Sequence, residues 1–497
     1  MKNPIKKLAG QTAVYGLSSI VGRFLNYLLT PYFTGLFSKE QYGVITEMYA
    51  YVAFLVVFLT YGMETTYFRY ASKDEYDSKN VYSTILPTLL ISSISFILIS
   101  TFFSQGIADW LMYPDHNEYV VWFSIIVGFD AITAIPQAYL RKENKPLKFA
   151  FVNLGNVVVN ISLCIFFLSY CKGIYGTAES NWIVENFYNP EIGVGYVFIA
   201  NLIASIFKMI VLMPEIFLIR TGKFLIKHLK PFFKYSIPLL FVGLAGIVNE
   251  TLDRVLLKRL LVDEIGKDGA MAQLGIYGAN YKLSILITLF IQAYRYAAEP
   301  FFFAQEKEKN SKDLYAKIMN YFVIVVCVIF LFVMFYLDLL KYFINNDELW
   351  VGLSVVPILL AANVCLGIYY NLSIWYKLSN KTGIGAIVSI FGALITIVLN
   401  LILIPHLGYE GSAWTTLLCY ASMVIVSYVL GQKYYTIPYQ LGKILIYIGV
   451  AGLLFLTSEF FISELSLSFK LTLNTFILFG YIGIAYIFER PNKKIKL

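Results

Sequence analysis

Long uninterrupted apolar runs dominate this chain and leave few folds open to it. They fall near residues 9–34, 42–63, 82–104, 119–140, 147–170, 193–219, 235–261, 274–303, 316–340, 350–376, 383–405, 410–430, 442–460 and 468–488. Each exceeds the roughly 17 residues that carry a helix across about 30 Å of hydrocarbon. The runs are continuous rather than alternating, which excludes a membrane β-barrel. Composition agrees: 58% of the 497 residues are hydrophobic and 14% charged, against roughly 45–50% and 25% in soluble domains. The expected fold is therefore an all-α integral membrane protein of about fourteen transmembrane helices. The connecting segments, the longest near 171–192 and 220–234, are too short to hold a catalytic domain. The apolar stretch behind the basic amino terminus outruns a signal-peptide core and contains Arg23, so it reads as the first transmembrane helix.

Charge sets the orientation. With the amino terminus in the cytoplasm, the inside segments hold 27 Lys and Arg. The outside segments hold seven: Lys39, Lys172, Lys258, Arg259, Lys267, Lys341 and Lys470. That asymmetry places both termini in the cytoplasm and explains the net charge of +8 without nucleic acid. The remaining five basic residues, Arg23, Lys208, Arg254, Lys282 and Arg295, lie within spans.

An internal repeat divides the chain. Gln41-Tyr42-Gly43 followed by Tyr49 returns as Gln273-Leu274-Gly275 followed by Tyr281, an offset of 232. Glu64 to Phe68 returns as Glu299 to Phe303 at offset 235. Tyr139-Leu140-Arg141 with Asn144-Lys145 returns as Trp375-Tyr376-Lys377 with Asn380-Lys381 at offset 236. Six spans separate the copies, so both enter the membrane from the same side, and an axis along the membrane normal is expected to relate two lobes facing a cavity. The expected divisions are a first lobe over 1–219, a linker over 220–234, a second lobe over 235–431, and two further spans with a basic cytoplasmic tail over 432–497. The linker is basic and amphipathic. It either lies on the anionic inner leaflet or is a solvated connection.

Charges inside a span are costly and normally face a partner or an aqueous cavity. Here Arg23, Arg254, Lys282 and Arg295 supply positive charge from both lobes, and Arg suits bidentate phosphate contact. These four are the candidate substrate-binding residues. Glu47, Glu64, Asp130, Glu250, Asp253 and Glu299 are either fixed counter-charges locking helices together or, in some subset, sites that bind H⁺ or Na⁺ for coupling. Glu250 and Arg254 stand one turn apart and can pair.

Other chemistry is not supported. The five cysteines mostly lie inside apolar runs, and His116, His228 and His406 are scattered, so neither a disulfide framework nor a metal site is expected. No nucleotide-binding GxxxxGK[ST] loop and no Ser/His/Asp constellation occurs. The expectation is a non-enzymatic protein with no catalytic residues, no cofactor and no nucleic-acid partner.

The segments Thr12–Thr34, Ser38–Ala50 and above all Leu274–Phe303 resemble the polysaccharide-transporter branch of the multidrug/oligosaccharidyl-lipid/polysaccharide exporter superfamily, the Wzx-like O-antigen flippases. The resemblance covers essentially the whole chain. It implies two lobes alternating between inward and outward openings in a bacterial cytoplasmic membrane. The implied cargo is undecaprenyl-diphosphate-linked oligosaccharide of lipopolysaccharide or related polysaccharide biosynthesis, moved through a cationic central cavity that Arg23, Arg254, Lys282 and Arg295 match by residue type. Membrane lipids, an ion gradient and polysaccharide polymerase machinery are the implied partners. A peptidoglycan lipid-precursor flippase and a multidrug exporter of the same superfamily are the alternatives.

Overall fold

A computed structural model describes residues 16, 20–306, 308, 310–379 and 381–490. The basic ends (1–8 and 491–497), the beginning of the first apolar segment (9–15 and 17–19) and Asn380 of the repeat lie outside the described residues. Among the described residues the chain is predominantly helical and contains no strand. Eleven helices of the described residues are long and apolar enough to cross a membrane, or twelve if Gly195–Val211 and Met213–Thr221, bent by 51°, form one span.

Two features account for the difference from fourteen runs. The first run is described only as helices over 20–27 and Leu29–Leu36. The seventh and eighth runs lie in one long helical stretch, Ile226–Gln305, in which two helices join at a kink without an intervening loop. A straight helix of that length would extend about 120 Å. Gly266, at φ 73°, interrupts it in the positive-φ region that a Cβ disfavours.

The chain forms two compact units. The first takes in the residues up to Leu29 and Val44–Val255, the second Thr30–Gly43 and Leu256–Leu497. The boundary thus falls inside the long helix, beyond the 220–234 linker, because the start of that helix packs on the first unit. A Cβ on Gly62 would lie 2.9 Å from the Ser236 carbonyl oxygen and 2.9 Å from the Leu239 Cβ. Tyr70 donates to the Pro231 carbonyl at 3.2 Å, and the Arg69 guanidinium lies 4.2 Å from the Tyr235 ring centre. The linker itself is tied down: the Lys223 and Leu225 amides donate to the Asn80 and Thr84 side chains at 2.7 and 3.2 Å. The core beneath holds Met63, Tyr67, Ile85, Leu86, Ile135 and Phe232.

In the second unit Leu441–Thr457 packs on the helix Ser311–Phe335 with Phe455 edge-on to Phe330, and the last helix, Leu467–Glu489, docks on the same helix and the turn after it through polar contacts. Asn474 donates to the Phe335 carbonyl at 3.3 Å and Lys470 to Asp338 at 2.7 Å. Burial alone would raise the Asp338 carboxyl, but the Lys470 and Lys341 ammonium groups outweigh it and hold it below its usual value.

Candidate functional site

In the first unit, helix 20–27 carries Arg23 with its side chain exposed. No carboxylate among the described residues pairs with it. Arg254 is half-buried on the long helix and donates from Nη1 to the backbone carbonyl of Glu250 at 3.3 Å, rather than to its carboxylate. Glu250 is exposed, while Asp253 is buried. The remaining acids of this unit have partners that the sequence reading did not assign. Glu47, 1% exposed, accepts from the Tyr113 hydroxyl at 2.5 Å. Burial and the neighbouring Glu47 carboxylate push that hydroxyl far above its ordinary value, so it stays a donor. Asp130 accepts from Lys208 at 3.0 Å, and Glu64 pairs with Arg141.

In the second unit, Lys282 is half-buried. The Arg295 guanidinium lies 4.2 Å from the Tyr370 ring centre, and its Nε stands 3.6 Å from Glu299. Glu299 is shared, because Lys377 reaches the same oxygen at 2.6 Å. Lys258, counted with the outside residues, is fully buried. Among the described residues no group of three His, Cys, Asp or Glu side chains could hold a metal ion.

The repeat reappears as matched contacts. Glu64 and Glu299 correspond in sequence, as do Arg141 and Lys377, and each acid pairs with the base of its own copy. Gly43 and Gly275 also correspond, and they meet within the second unit. A Cβ on Gly43 would lie 2.3 Å from the Met271 carbonyl oxygen, and one on Gly275 would lie 1.8 Å from that of Lys39. Each glycine therefore faces the carbonyl four residues before the other, a reciprocal contact of the kind a local twofold relation produces. A capping box starts the helix Lys39–Thr60 just before this crossing: the Ser38 amide donates to the Gln41 side chain at 3.2 Å, and the Gln41 amide to Ser38 Oγ at 3.3 Å.

The shared carboxylate gives a direct test of counter-charge against coupling. Lys377→Met alone is expected to lower the melting temperature and activity, since partly exposed pairs contribute about 1 kcal/mol or less and Glu299 would keep only the longer Arg295 contact. Glu299→Gln with Lys377→Met should recover most of both, the mark of an interacting pair. A double variant that folds but has lost its dependence on an ion gradient would instead make Glu299 a coupling residue.

Residues 8–304 match the family described as polysaccharide biosynthesis protein. The chain belongs to this family. No curated protein matches the chain. Solved structures show which fold this member of the polysaccharide biosynthesis family adopts. It is similar to the lipid II flippase MurJ in an inward closed conformation, with a TM-score of 0.74 at 13% identity over 96% of this chain and 98% of that one. It is similar to an inward-facing multidrug-resistance MATE family transporter of the MOP superfamily, with a TM-score of 0.62 at 14% identity over 83% and 94%. The MATE multidrug transporter DinF-BH gives a TM-score of 0.61 at 18% identity over 87% and 96%. The polysaccharide biosynthesis family member thus has the helical fold of MOP-superfamily transporters.

Proposed function

We propose that the protein is a flippase that moves polyprenyl-diphosphate-linked oligosaccharide from the inner to the outer leaflet of a bacterial cytoplasmic membrane, by alternating access through a cationic cavity. The observation that carries this reading is Arg23. Its guanidinium is exposed on a helix within the first apolar segment, with no acid among the described residues to neutralise it. A diphosphate supplies the missing anion in the bidentate geometry that Arg favours. Membership of the polysaccharide biosynthesis family supports a sugar-bearing cargo. In this reading Arg254, Lys282 and Arg295 add cationic charge, and the polyprenyl tail stays in lipid. Glu64, Asp130 and Glu299, each with a cation, serve as counter-charges. We place coupling to H⁺ or Na⁺ at Glu250, an exposed carboxylate with no cation partner among the described residues.

A second reading, transport of a peptidoglycan lipid precursor, draws support from the TM-score of 0.74 to a lipid II flippase, and it uses the same phosphate chemistry. Reconstituted vesicles discriminate the readings. The protein is expected to bring a fluorescent polyprenyl-diphosphate oligosaccharide within reach of a membrane-impermeant quencher, and to leave a cationic dye untransported. Preference for lipid II over the oligosaccharide would favour the second reading, and transport of the dye alone would replace both with drug export.

A further inference from the structure

Away from these charges, a cavity of about 330 Å³ lies between the helices Ser311–Phe335 and Leu467–Glu489. Tyr321, Ile482, Ala485, Tyr486, Glu489 and Arg490 are among its lining residues. The two tyrosines each carry a cation: Lys317 Nζ lies 5.8 Å from the Tyr321 ring centre, and the Arg490 guanidinium 6.0 Å from that of Tyr486. Both basic side chains are exposed. The acid in the wall does not cancel them. Glu489, with its side chain 8% exposed, is already bound by Lys443 at 3.0 Å and by the Tyr447 hydroxyl at 2.9 Å. Lys443 is itself 40% exposed and keeps donors to spare.

An apolar slot between two membrane-crossing helices, walled by tyrosines and edged by cations that no carboxylate among the described residues pairs, has the chemistry of the boundary between acyl chains and headgroups. We propose that this cavity binds one anionic phospholipid, an acyl chain occupying the slot between Ile482 and Ala485 and the phosphate held by Lys317 and Arg490. Charge complementarity selects the occupant: a zwitterionic lipid brings its own cation to a rim that already has two. The site stands independently of the flippase reading.

The test is thermal unfolding of the full-length protein in detergent with added phosphatidylglycerol or with phosphatidylcholine of the same chains. Phosphatidylglycerol is expected to raise the unfolding midpoint, and phosphatidylcholine to raise it much less. Replacing both cations, Lys317→Gln with Arg490→Gln, should raise the half-effective phosphatidylglycerol concentration by about tenfold while leaving the lipid-free midpoint near that of the unaltered protein. Ala485→Trp, which fills the slot, should abolish the shift. If that variant fails to fold, the double replacement decides. Equal responses to the two lipids, or an unchanged response in the double variant, would overturn the proposal. Protection by polyprenyl phosphate that displaces phosphatidylglycerol would also overturn it, assigning the slot to the tail of a cargo lipid instead.

Discussion

Gly275→Leu protein is expected not to accumulate in the membrane, and Gly275→Ala to lose a large part of its thermal stability. The reason is that the obstacle is backbone. An added methyl would sit 1.8 Å from the Lys39 carbonyl oxygen, 2.8 Å from its carbon and 3.0 Å from the Gly43 nitrogen. No side-chain rotamer can relieve those contacts. The helices must separate, and with them the packing that small residues permit where transmembrane helices cross closely. Overpacking a tight site typically costs about 1–3 kcal/mol, and a clash with main chain belongs at or above the upper end of that range. Gly43→Ala should behave alike, since its methyl would lie 2.3 Å from the Met271 carbonyl oxygen. Gly246→Ala is the control. It too replaces a glycine in the long helix, but its methyl meets nothing within 4 Å, and alanine is the better helix former by about 1 kcal/mol. Melting curves of detergent-solubilised protein decide the matter: if Gly275→Ala melts where Gly246→Ala does, the close crossing is not there.

The membrane-spanning character of the chain was legible in the sequence because the cost of exposing apolar surface and of burying unpaired backbone leaves little choice to long apolar runs. The continuation of helix through 262–273 was not. Gly266 and Gly269 mark that stretch as a connection, yet Glu264, Lys267, Ala270, Met271 and Gln273 are good helix formers, and only Gly266 leaves helical geometry. The repeat identified Glu64 with Glu299 and Arg141 with Lys377, but a sequence offset reports correspondence, not contact. The contact needed the packing of helices nearly eighty positions apart. Tyr113 carried no signal at all as the partner of Glu47, being a turn residue 66 positions away. Lys258 and Arg259 both count as outside residues, yet Lys258 is buried and Arg259 only half-buried, because on a helix adjacent residues point about 100° apart and can meet different surroundings.

The central claim is that a cationic site receives the phosphate of a lipid-linked sugar, and Arg23 tests it most cleanly, because Arg295 also holds Glu299 and stacks on Tyr370. Losing a charge-assisted hydrogen bond costs about 1.5–3 kcal/mol, or roughly ten- to a hundredfold in binding. A point charge at the same height serves a phosphate in part, a neutral amide poorly, and a carboxylate repels it. Surface delivery of lipid-linked sugar, normalised to protein in the membrane, should therefore fall in the order Arg23, Arg23→Lys, Arg23→Gln, Arg23→Glu, with membrane insertion unchanged. A fully active Arg23→Gln variant, or a loss of activity that only follows a loss of protein, would contradict the claim and leave Arg23 a structural residue.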